Sequence, residues 1–131
     1  MFSSKKQPAI RSLIADGNQI NGNVQFTDGL RVDGAIIGDV RSNEEKNSIL
    51  VISETASVTG EIHPDHVIIN GAVKGPVYAR LMLELQPRAR IEGDVHYTAL
   101  EMHQGTIIEG HLKPMPSMTE GKPTLKLAAN N

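Results

Sequence analysis

The chain contains no cysteine and no tryptophan, and its 131 residues include only two phenylalanines and two tyrosines. The absence of cysteine excludes disulfides, thiolate zinc sites and cysteine catalysis, and it fits a reducing compartment. The shortage of aromatic rings excludes a conventional core filled by bulky side chains. Valine, isoleucine and leucine are plentiful instead. We therefore expect a narrow core of stacked aliphatic layers without rings.

Long apolar runs and concentrated charge are missing as well. The sequence contains no run of about 18 apolar residues, which a membrane-spanning helix would need. The start MFSSKKQPAIRSLI lacks the apolar core of a secretory signal. The net charge is only −2 and the basic residues are dispersed, which argues against nucleic-acid binding. The length fits one domain with tails, and the simplest placement is the cytoplasm.

The aliphatic residues follow a repeat that is marked by glycine. Residues 30–40, LRVDGAIIGDV, align without gaps with residues 67–77, VIINGAVKGPV. Three stretches share a related pattern: LVISETASVTGEI at 50–62, LELQPRARIEGDV at 83–95 and LEMHQGTIIEGHL at 100–112. A degenerate copy at 14–24 precedes them. Each unit contains one glycine at the shared position, and these are Gly22, Gly38, Gly60, Gly75, Gly93 and Gly110. Successive shared glycines are 16, 22, 15, 18 and 17 residues apart.

Self-similarity at a short period predicts a solenoid. Within each unit the aliphatic residues recur at every second position without a sustained helical period, which indicates strands. A coil of this length holds about three short strands with tight corners, which is the circumference of a parallel β-helix. Coils stacked about 4.8 Å apart would form a rod roughly 30 Å long. We predict an all-β, single-domain parallel β-helix of about six coils over residues 14–112.

Glycine is predicted at the corners of the coils. There the chain turns sharply while neighbouring coils approach closely, and glycine tolerates both. Aliphatic residues stand two positions before and after several of these glycines, so the strand pattern runs through them, unlike the hairpin tips of an antiparallel barrel. The predicted corner positions are Gly22, Gly34, Gly38, Gly60, Gly71, Gly75, Gly93 and Gly110.

Polar stretches interrupt and flank the repeat. The segment RSNEEKN at 41–47 accounts for the long 22-residue spacing and is predicted to be a surface loop at one corner. Residues 1–13 and 113–131 carry proline and polar residues without strand alternation. We expect both segments to be disordered tails.

The sequence shows no catalytic constellation. Glu54, Glu61, Glu92 and Asp94 follow the outward parity of the repeats, which indicates a solvated face. The phosphate-loop, nucleophile-elbow and HExxH motifs are absent. We predict no catalytic site, no metal and no cofactor. Five histidines are expected to face solvent rather than to converge on zinc: His63, His66, His96, His103 and His111.

Neither end of the repeat carries an amphipathic helix that would cap it. An uncapped terminal coil exposes a row of unpaired N–H and C=O groups. Association that does not close into a ring grows into filaments. Ile107 in the last unit aligns with the outward positions Ser57 and Arg90, so it is either an assembly contact or a scattered surface aliphatic of the kind found at the outward positions Val51, Ile68 and Ile37. We therefore predict end-to-end self-association, with Ile107 as a candidate contact.

The N-terminal tail is basic and starts with two apolar residues. Lys5, Lys6 and Arg11 occur within the first fourteen residues, which contain no acid. Burial of Met1 and Phe2 contributes at most ~3 to 5 kcal/mol, and each cation near an anionic leaflet adds about 1 kcal/mol. One tail would bind a membrane weakly, whereas tails repeated along a filament would bind with avidity. An ordinary solvated tail is the alternative.

The blocks VDGAIIGDV, INGAVKGPV and ARIEGDV resemble the bactofilin family of bacterial polymer-forming cytoskeletal proteins, and the MFSSKK start resembles the family's membrane-targeting tail. The resemblance implies a right-handed β-helix that assembles end to end without nucleotide. It also implies a scaffold on the inner face of the cytoplasmic membrane that localises client proteins, such as cell-wall enzymes, in cell shape or polarity. It assigns membrane contact to Met1, Phe2, Lys5 and Lys6. It assigns self-association to the two ends: Ile14, Ile20, Val24, Leu100, Met102, Ile107, Ile108 and Leu112.

Two alternatives stay open. One is a β-helix enzyme, such as a hexapeptide acyltransferase or a histidine-zinc carbonic anhydrase. Those left-handed folds repeat every six residues, a rule that the spacings of 16, 22, 15, 18 and 17 residues break. The other is a structural adaptor that does not polymerise, which differs from the first interpretation only at the ends.

Overall fold

The computed structural model of the chain describes residues 9–43, 47–116 and 124–127. Within these ranges all regular elements are short β-strands, numbered along the chain. They are β1 (Ser12–Ile14), β2 (Gln19–Asn21) and β3 (Val24–Phe26) in the first coil; β4 (Gly29–Val32), β5 (Ala35–Ile37) and β6 (Val40–Ser42) in the second; β7 (Ile49–Ile52) and β8 (Ser57–Thr59) in the third; β9 (His66–Ile69), β10 (Ala72–Lys74) and β11 (Val77–Ala79) in the fourth; β12 (Met82–Leu85), β13 (Arg90–Glu92) and β14 (Val95–Tyr97) in the fifth; β15 (Ala99–Met102), β16 (Ile107–Glu109) and β17 (Leu112–Pro114) in the sixth; and β18 (Thr124–Leu127) beyond it.

Equivalent strands of successive coils pair in parallel and form three faces. Sheet A has the order β1-β4-β7-β9-β12-β15-β18, and sheet B has the order β2-β5-β8-β10-β13-β16. Sheet C consists of two pieces, β3-β6 and β11-β14-β17. The predicted all-β parallel solenoid of about six coils is confirmed.

The gap in sheet C lies in the third coil. There only Ile62 pairs, through isolated bridges to Val40 and Val77. His63 N still donates to Val40 O at 2.9 Å. The next residue is Pro64, which has no N–H to donate, so the ladder toward the second coil ends there, although Pro64 O accepts a hydrogen bond from Arg80 N at 3.3 Å.

Inward aliphatic side chains fill the lumen in vertical stacks, as the alternation predicts. The buried stack of sheet B continues through four coils: Ile36, Val58, Val73 and Ile91, each at most 1% exposed. The expectation of a core without rings is wrong at two positions. Phe26 and Tyr97 are 7% and 4% exposed and belong to the hydrophobic core. Each is the last residue of its strand in sheet C, next to the corner that leads to sheet A.

The shared glycines form a column at the corner between sheets B and C. Gly75 has a φ of 140°, a conformation that favours glycine, and a Cβ there would contact the carbonyl oxygen of Gly60 in the coil below. Gly34 and Gly71 lie at the corner between sheets A and B, where close approach is the constraint. A Cβ on Gly71 would contact the carbonyl oxygen of Ser53 in the preceding coil.

A buried polar network closes the corner that carries the predicted insertion. Ser48 and Asp65 are 1% and 3% exposed. Ser48 N donates to Asp65 Oδ2 at 3.1 Å, and Asp65 N donates to Ser48 Oγ at 3.1 Å. Arg80 Nε donates to Asp65 Oδ1 at 2.7 Å. One carboxylate therefore links three successive coils where chain of irregular length separates β6 from β7.

The terminal segments contain more strand than the sequence predicted. Strand β1 starts at Ser12, and β17 runs to Pro114. Strand β18, at 124–127 within the segment predicted to be a C-terminal tail, pairs with β15. The residues LKL at 125–127 repeat the pattern of LEL at 83–85 and LEM at 100–102. Residues 1–8, 44–46, 117–123 and 128–131 lie outside the described part of the chain.

Candidate assembly surfaces at the solenoid ends

The glycine column shows that the first coil is an open end. A Cβ on Gly38 would contact the carbonyl oxygen of Gly22 in the coil below. A Cβ on Gly22 would meet nothing within 4 Å. The same is true of Gly17, which also belongs to the first coil. The outer side of this coil therefore has room for another coil.

The lumen side chains of the first coil are partly uncovered. Ile20 and Val24 are half-buried, although their equivalents one coil further on, Ile36 and Val40, are fully buried. Ile14, on sheet A, is 9% exposed. The three residues predicted for this end thus share the lumen, and two of them present apolar surface to solvent.

Sequence reasoning missed two apolar residues at the same end. Ile10 is 47% exposed and Leu13 is 58% exposed. Both lie within residues 1–13, the segment that the sequence predicts to be a tail. Leu13 is the outward neighbour of Arg31 in the ladder between β1 and β4, so it extends the apolar surface around the rim of the first coil.

The sixth coil shows the same loss of burial at the other end. Ile108 is half-buried and Leu112 is 41% exposed, whereas their equivalents in the fifth coil, Ile91 and Val95, are at most 1% exposed. Ile107 is 48% exposed and pairs with Arg90, as its predicted outward position requires. Apolar surface is therefore available at this end on sheets B and C.

Sheet A differs at the C-terminal end. Leu100 is only 1% exposed, and its strand β15 lies between β12 and β18. Met102, on the same strand, is half-buried. Of the residues predicted for self-association at this end, Leu100 is thus covered by the chain itself.

Backbone donors at one corner of the solenoid point toward the following coil. At the corner between sheets B and C, Gly93 N donates to Glu109 O at 2.9 Å and Val95 N donates to His111 O at 2.9 Å, each in the following coil. From the same register we infer that the N–H groups of Gly110 and Leu112 in the sixth coil face the end of the solenoid. The terminal coil therefore directs backbone donors along the axis.

Acidic and amide side chains reinforce this corner. Asn23 Oδ1 accepts a hydrogen bond from Asp39 N at 2.8 Å, and Asp39 Oδ1 accepts from Glu61 N at 2.9 Å. Asp94 Oδ1 likewise accepts from His111 N at 3.0 Å. The sequence signal was an Asn or Asp directly after the shared glycine. The outward parity of Asp94 in the repeat indicates only a solvated face.

The partners of Asp94 strongly favour its ionised form. The backbone N–H of His111 has the largest effect, followed by Lys113, whose Nζ lies 3.2 Å from Asp94 Oδ2. Together with the His111 ring they lower the pKa of Asp94 to about 2. Because His111 and Lys113 belong to the sixth coil, this carboxylate ties the terminal coil to the fifth.

Two of the histidines stack on a tyrosine along the outer side of sheet C. The rings of His63 and Tyr78 lie 4.5 Å apart between centroids, and those of Tyr78 and His96 lie 4.3 Å apart. Partial burial lowers the pKa of His96, and the charge of Lys113 lowers it further. The stack runs from the third coil, where sheet C is interrupted, to the fifth.

One group of potential metal ligands occurs among the described residues: Glu84, Glu101 and His103. His103 Nε2 lies 3.2 Å from Glu84 Oε2 and 3.4 Å from Glu101 Oε2. The group contains a single histidine, so it does not supply the three imidazoles of the carbonic anhydrase alternative. The contacts of His103 with Glu84 and Glu101 account for the proximity of the three side chains.

The residues predicted to contact a membrane, Met1, Phe2, Lys5 and Lys6, lie outside the described part of the chain. Their role stays a prediction. Among the described residues, no helix has the length and apolar character needed to cross a bilayer.

Comparison with known proteins agrees with the geometry of a stackable solenoid. A family model described as Bactofilin, polymer-forming cytoskeletal, matches residues 12–113. No curated protein and no solved structure gave a match. The matched range covers most of the chain and extends from the first residue of β1 into β17. The chain therefore belongs to the bactofilin family of polymer-forming cytoskeletal proteins.

Proposed function

We propose that this protein polymerises end to end, through its first and sixth coils, into filaments that need no nucleotide. The observation that carries the proposal is the change in burial along the lumen. Stacks that are fully buried in the middle coils end in the half-buried Ile20 and Val24 at one end and in Ile108 and Leu112 at the other. Contact with a second copy would cover these side chains.

The free energy that each covered side chain contributes to assembly is modest, but it recurs at every junction between subunits. Covering a partly exposed aliphatic side chain contributes about 1 kcal/mol. Backbone groups at the terminal coils would also find partners in a stacked copy, as they do between coils of one chain. Both surfaces belong to the folded solenoid, so assembly needs no nucleotide-driven change of conformation.

We further propose that the filament is a scaffold at the inner face of the cytoplasmic membrane. Membrane contact would come from the basic tail with Met1, Phe2, Lys5 and Lys6, which repeats with each subunit. A surface of this kind could localise client proteins, such as cell-wall enzymes or polarity proteins. This part of the proposal is supported by membership of a cytoskeletal family and by the composition of the tail.

The proposed polymer is tested with Ile107→Arg and Leu112→Arg. Both side chains are more than two fifths exposed, so each variant should fold. Ser57→Arg is the matched control, because Ser57 is exposed in the same outward column as Ile107 but lies in the middle of the solenoid. Purified proteins without nucleotide are compared by sedimentation and negative-stain electron microscopy.

We expect filaments for the unmodified protein and for Ser57→Arg, and small species for the two end variants. Circular dichroism should give the same β-sheet spectrum for all four proteins. Filaments of Ile107→Arg and Leu112→Arg that match the control would remove the sixth coil from the interface. A dispersed unmodified protein at high concentration would contradict polymerisation itself.

A further inference from the structure

Strand β18 is the start of a seventh coil that is never completed. It pairs in parallel with β15, with Leu100 opposite Leu125 and Met102 opposite Leu127. Leu125 and Leu127 thus occupy the register positions that Leu83 and Leu85 occupy two coils earlier. The pattern aliphatic, any residue, aliphatic is the pattern of the lumen positions on sheet A.

The third residue of β18, Lys126, also matches the residue opposite it in charge. In the adjacent ladder two acids stand side by side, since Glu84 is opposite Glu101. The next register position is held by a lysine, Lys126, opposite Glu101. Like charges directly opposite one another destabilise a strand pair, and opposite charges stabilise it. The sequence TLKL therefore fits this edge of sheet A in both its apolar and its charged positions.

The cover that β18 provides is partial. In the described part of the chain, sheet B ends at β16 and sheet C ends at β17, so only sheet A has a seventh strand. A complete coil is held by three ladders and by a continuous lumen, whereas β18 has one ladder of four residue pairs. Segments with few ladder bonds and one packing surface open at low free energy.

We propose that β18 is a detachable cap, which occupies in cis the edge of β15 that a second copy of this chain needs for stacking. The inference rests on the proposed polymerisation. While β18 is in place, Leu100 and the backbone of β15 are withheld from the C-terminal end. Departure of β18 exposes the whole rim of the sixth coil, which then accepts the next subunit.

The cap sets the concentration at which filaments form. If only a fraction of the molecules has the edge free, the apparent affinity for the next subunit falls by that fraction. A cap that is closed in about nine molecules of ten would raise the critical concentration about tenfold. Loosening the strand without altering the six coils should therefore promote assembly.

The test uses two truncated proteins and two full-length proteins with one substitution each, and each pair consists of a variant and its control. Removal of residues 117–131 deletes β18, and removal of 128–131 alone is its control. Lys126→Glu puts a third acid next to Glu84 and Glu101, and Lys122→Glu makes the same charge change outside the strand. Critical concentrations are measured by sedimentation without nucleotide, and amide hydrogen exchange of 124–127 is compared between dispersed and assembled protein.

We expect the truncation at 117 and Lys126→Glu to lower the critical concentration severalfold, and both controls to leave it unchanged. The amides of 124–127 should be protected in dispersed protein and exchange rapidly in filaments. Equal critical concentrations, or amides that remain protected in filaments, would overturn the cap while leaving the polymer in place. A failure of all variants to assemble, the truncation included, would overturn the proposed function and the cap with it.

Discussion

Gly22 and Gly75 have nearly the same backbone conformation in different surroundings. Their φ angles are 138° and 140°. A Cβ on Gly22 would meet open space, whereas one on Gly75 would contact the carbonyl oxygen of Gly60. Comparison of the two positions separates two reasons for glycine at a corner, namely backbone strain and the close approach of the neighbouring coil.

We predict that Gly22→Ala lowers the free energy of unfolding by about 1 to 3 kcal/mol, the cost of the unusual φ. Gly75→Ala should lower it by at least about 2 kcal/mol more, because the backbone of Gly60 cannot move aside cheaply. Urea unfolding of both variants, each carrying Leu112→Arg to prevent assembly, measures the difference. Equal costs would mean that adjacent coils shift apart without penalty.

The carboxylate of Asp94 gives a pH prediction. Its pKa is lowered from 3.8 to about 2, first by the backbone N–H of His111 and then by Lys113. A folded-state pKa below the unfolded value stabilises the fold above pH 3.8, and this contribution is lost as the pH falls toward 2. We expect the carboxyl ¹³C shift of Asp94 to titrate with a midpoint near 2.

Lys113→Ala distinguishes the two causes of this shift. The midpoint of Asp94 should rise in this variant but stay below 3.8, since the hydrogen bond from His111 N remains. A midpoint at 3.8 in the unmodified protein would show that the sixth coil does not hold Asp94 as described.

Asp65 forms a buried hydrogen-bond network with Ser48 and Arg80 at the corner between sheets C and A. Replacement of Asp65 by Ala leaves the buried Ser48 N–H without its acceptor and Arg80 without its carboxylate partner. We predict a loss of about 2 to 4 kcal/mol in the free energy of unfolding. Urea unfolding in the Leu112→Arg background measures it.

Glu54→Ala is the control for this corner. Glu54 pairs with Arg88 at 3.4 Å, and both side chains are more than half exposed. Loss of an exposed pair should change stability by less than about 1 kcal/mol. Similar values for Asp65→Ala and Glu54→Ala would mean that the corner network does not secure the third coil.

The repeat predicted the strands because each unit contains its own pattern of alternating aliphatic residues. It did not predict Asp65, since the partners Ser48 and Arg80 lie 17 and 15 residues away and nothing in HPDH marks them. The repeat did not predict strand β18 either, for a different reason. Its three-residue pattern begins 25 residues after Leu100, far outside the regular spacing, and the intervening chain is polar and rich in proline.

The ends of the solenoid were predicted only in part. Positions such as Ile20, Val24, Ile108 and Leu112 follow from the repeat, because the first and last copies have no neighbour on one side. Their degree of exposure required the structure, as did the burial of Leu100 beneath an additional strand. Which residues an end presents depends on the tails, whose placement no periodic pattern encodes.

The proposed membrane attachment would be a property of the assembled filament rather than of one subunit. We predict that removal of residues 1–8 abolishes co-sedimentation with anionic liposomes while filaments persist. Lys5→Gln should weaken lipid binding about fivefold, since one lysine near an anionic surface contributes about 1 kcal/mol. Lys74→Gln makes the same charge change at an exposed position in the middle of the solenoid and should have little effect. Pelleting of the truncated protein with lipid, beyond its sedimentation alone, would contradict the role of the tail.

The gap in sheet C has a mechanical consequence. The ladder hydrogen bonds of the fold run along the axis of the rod, so they resist stretching and bending of each face. Sheets A and B are continuous from the first coil to the sixth, whereas the third coil contributes to sheet C only the isolated bridges of Ile62, followed by Pro64, which has no N–H to donate. Bending that opens this face meets the least resistance, at the third coil. A filament built from such subunits would have one soft point per repeat, all on equivalent sides, and hence a built-in direction of curvature.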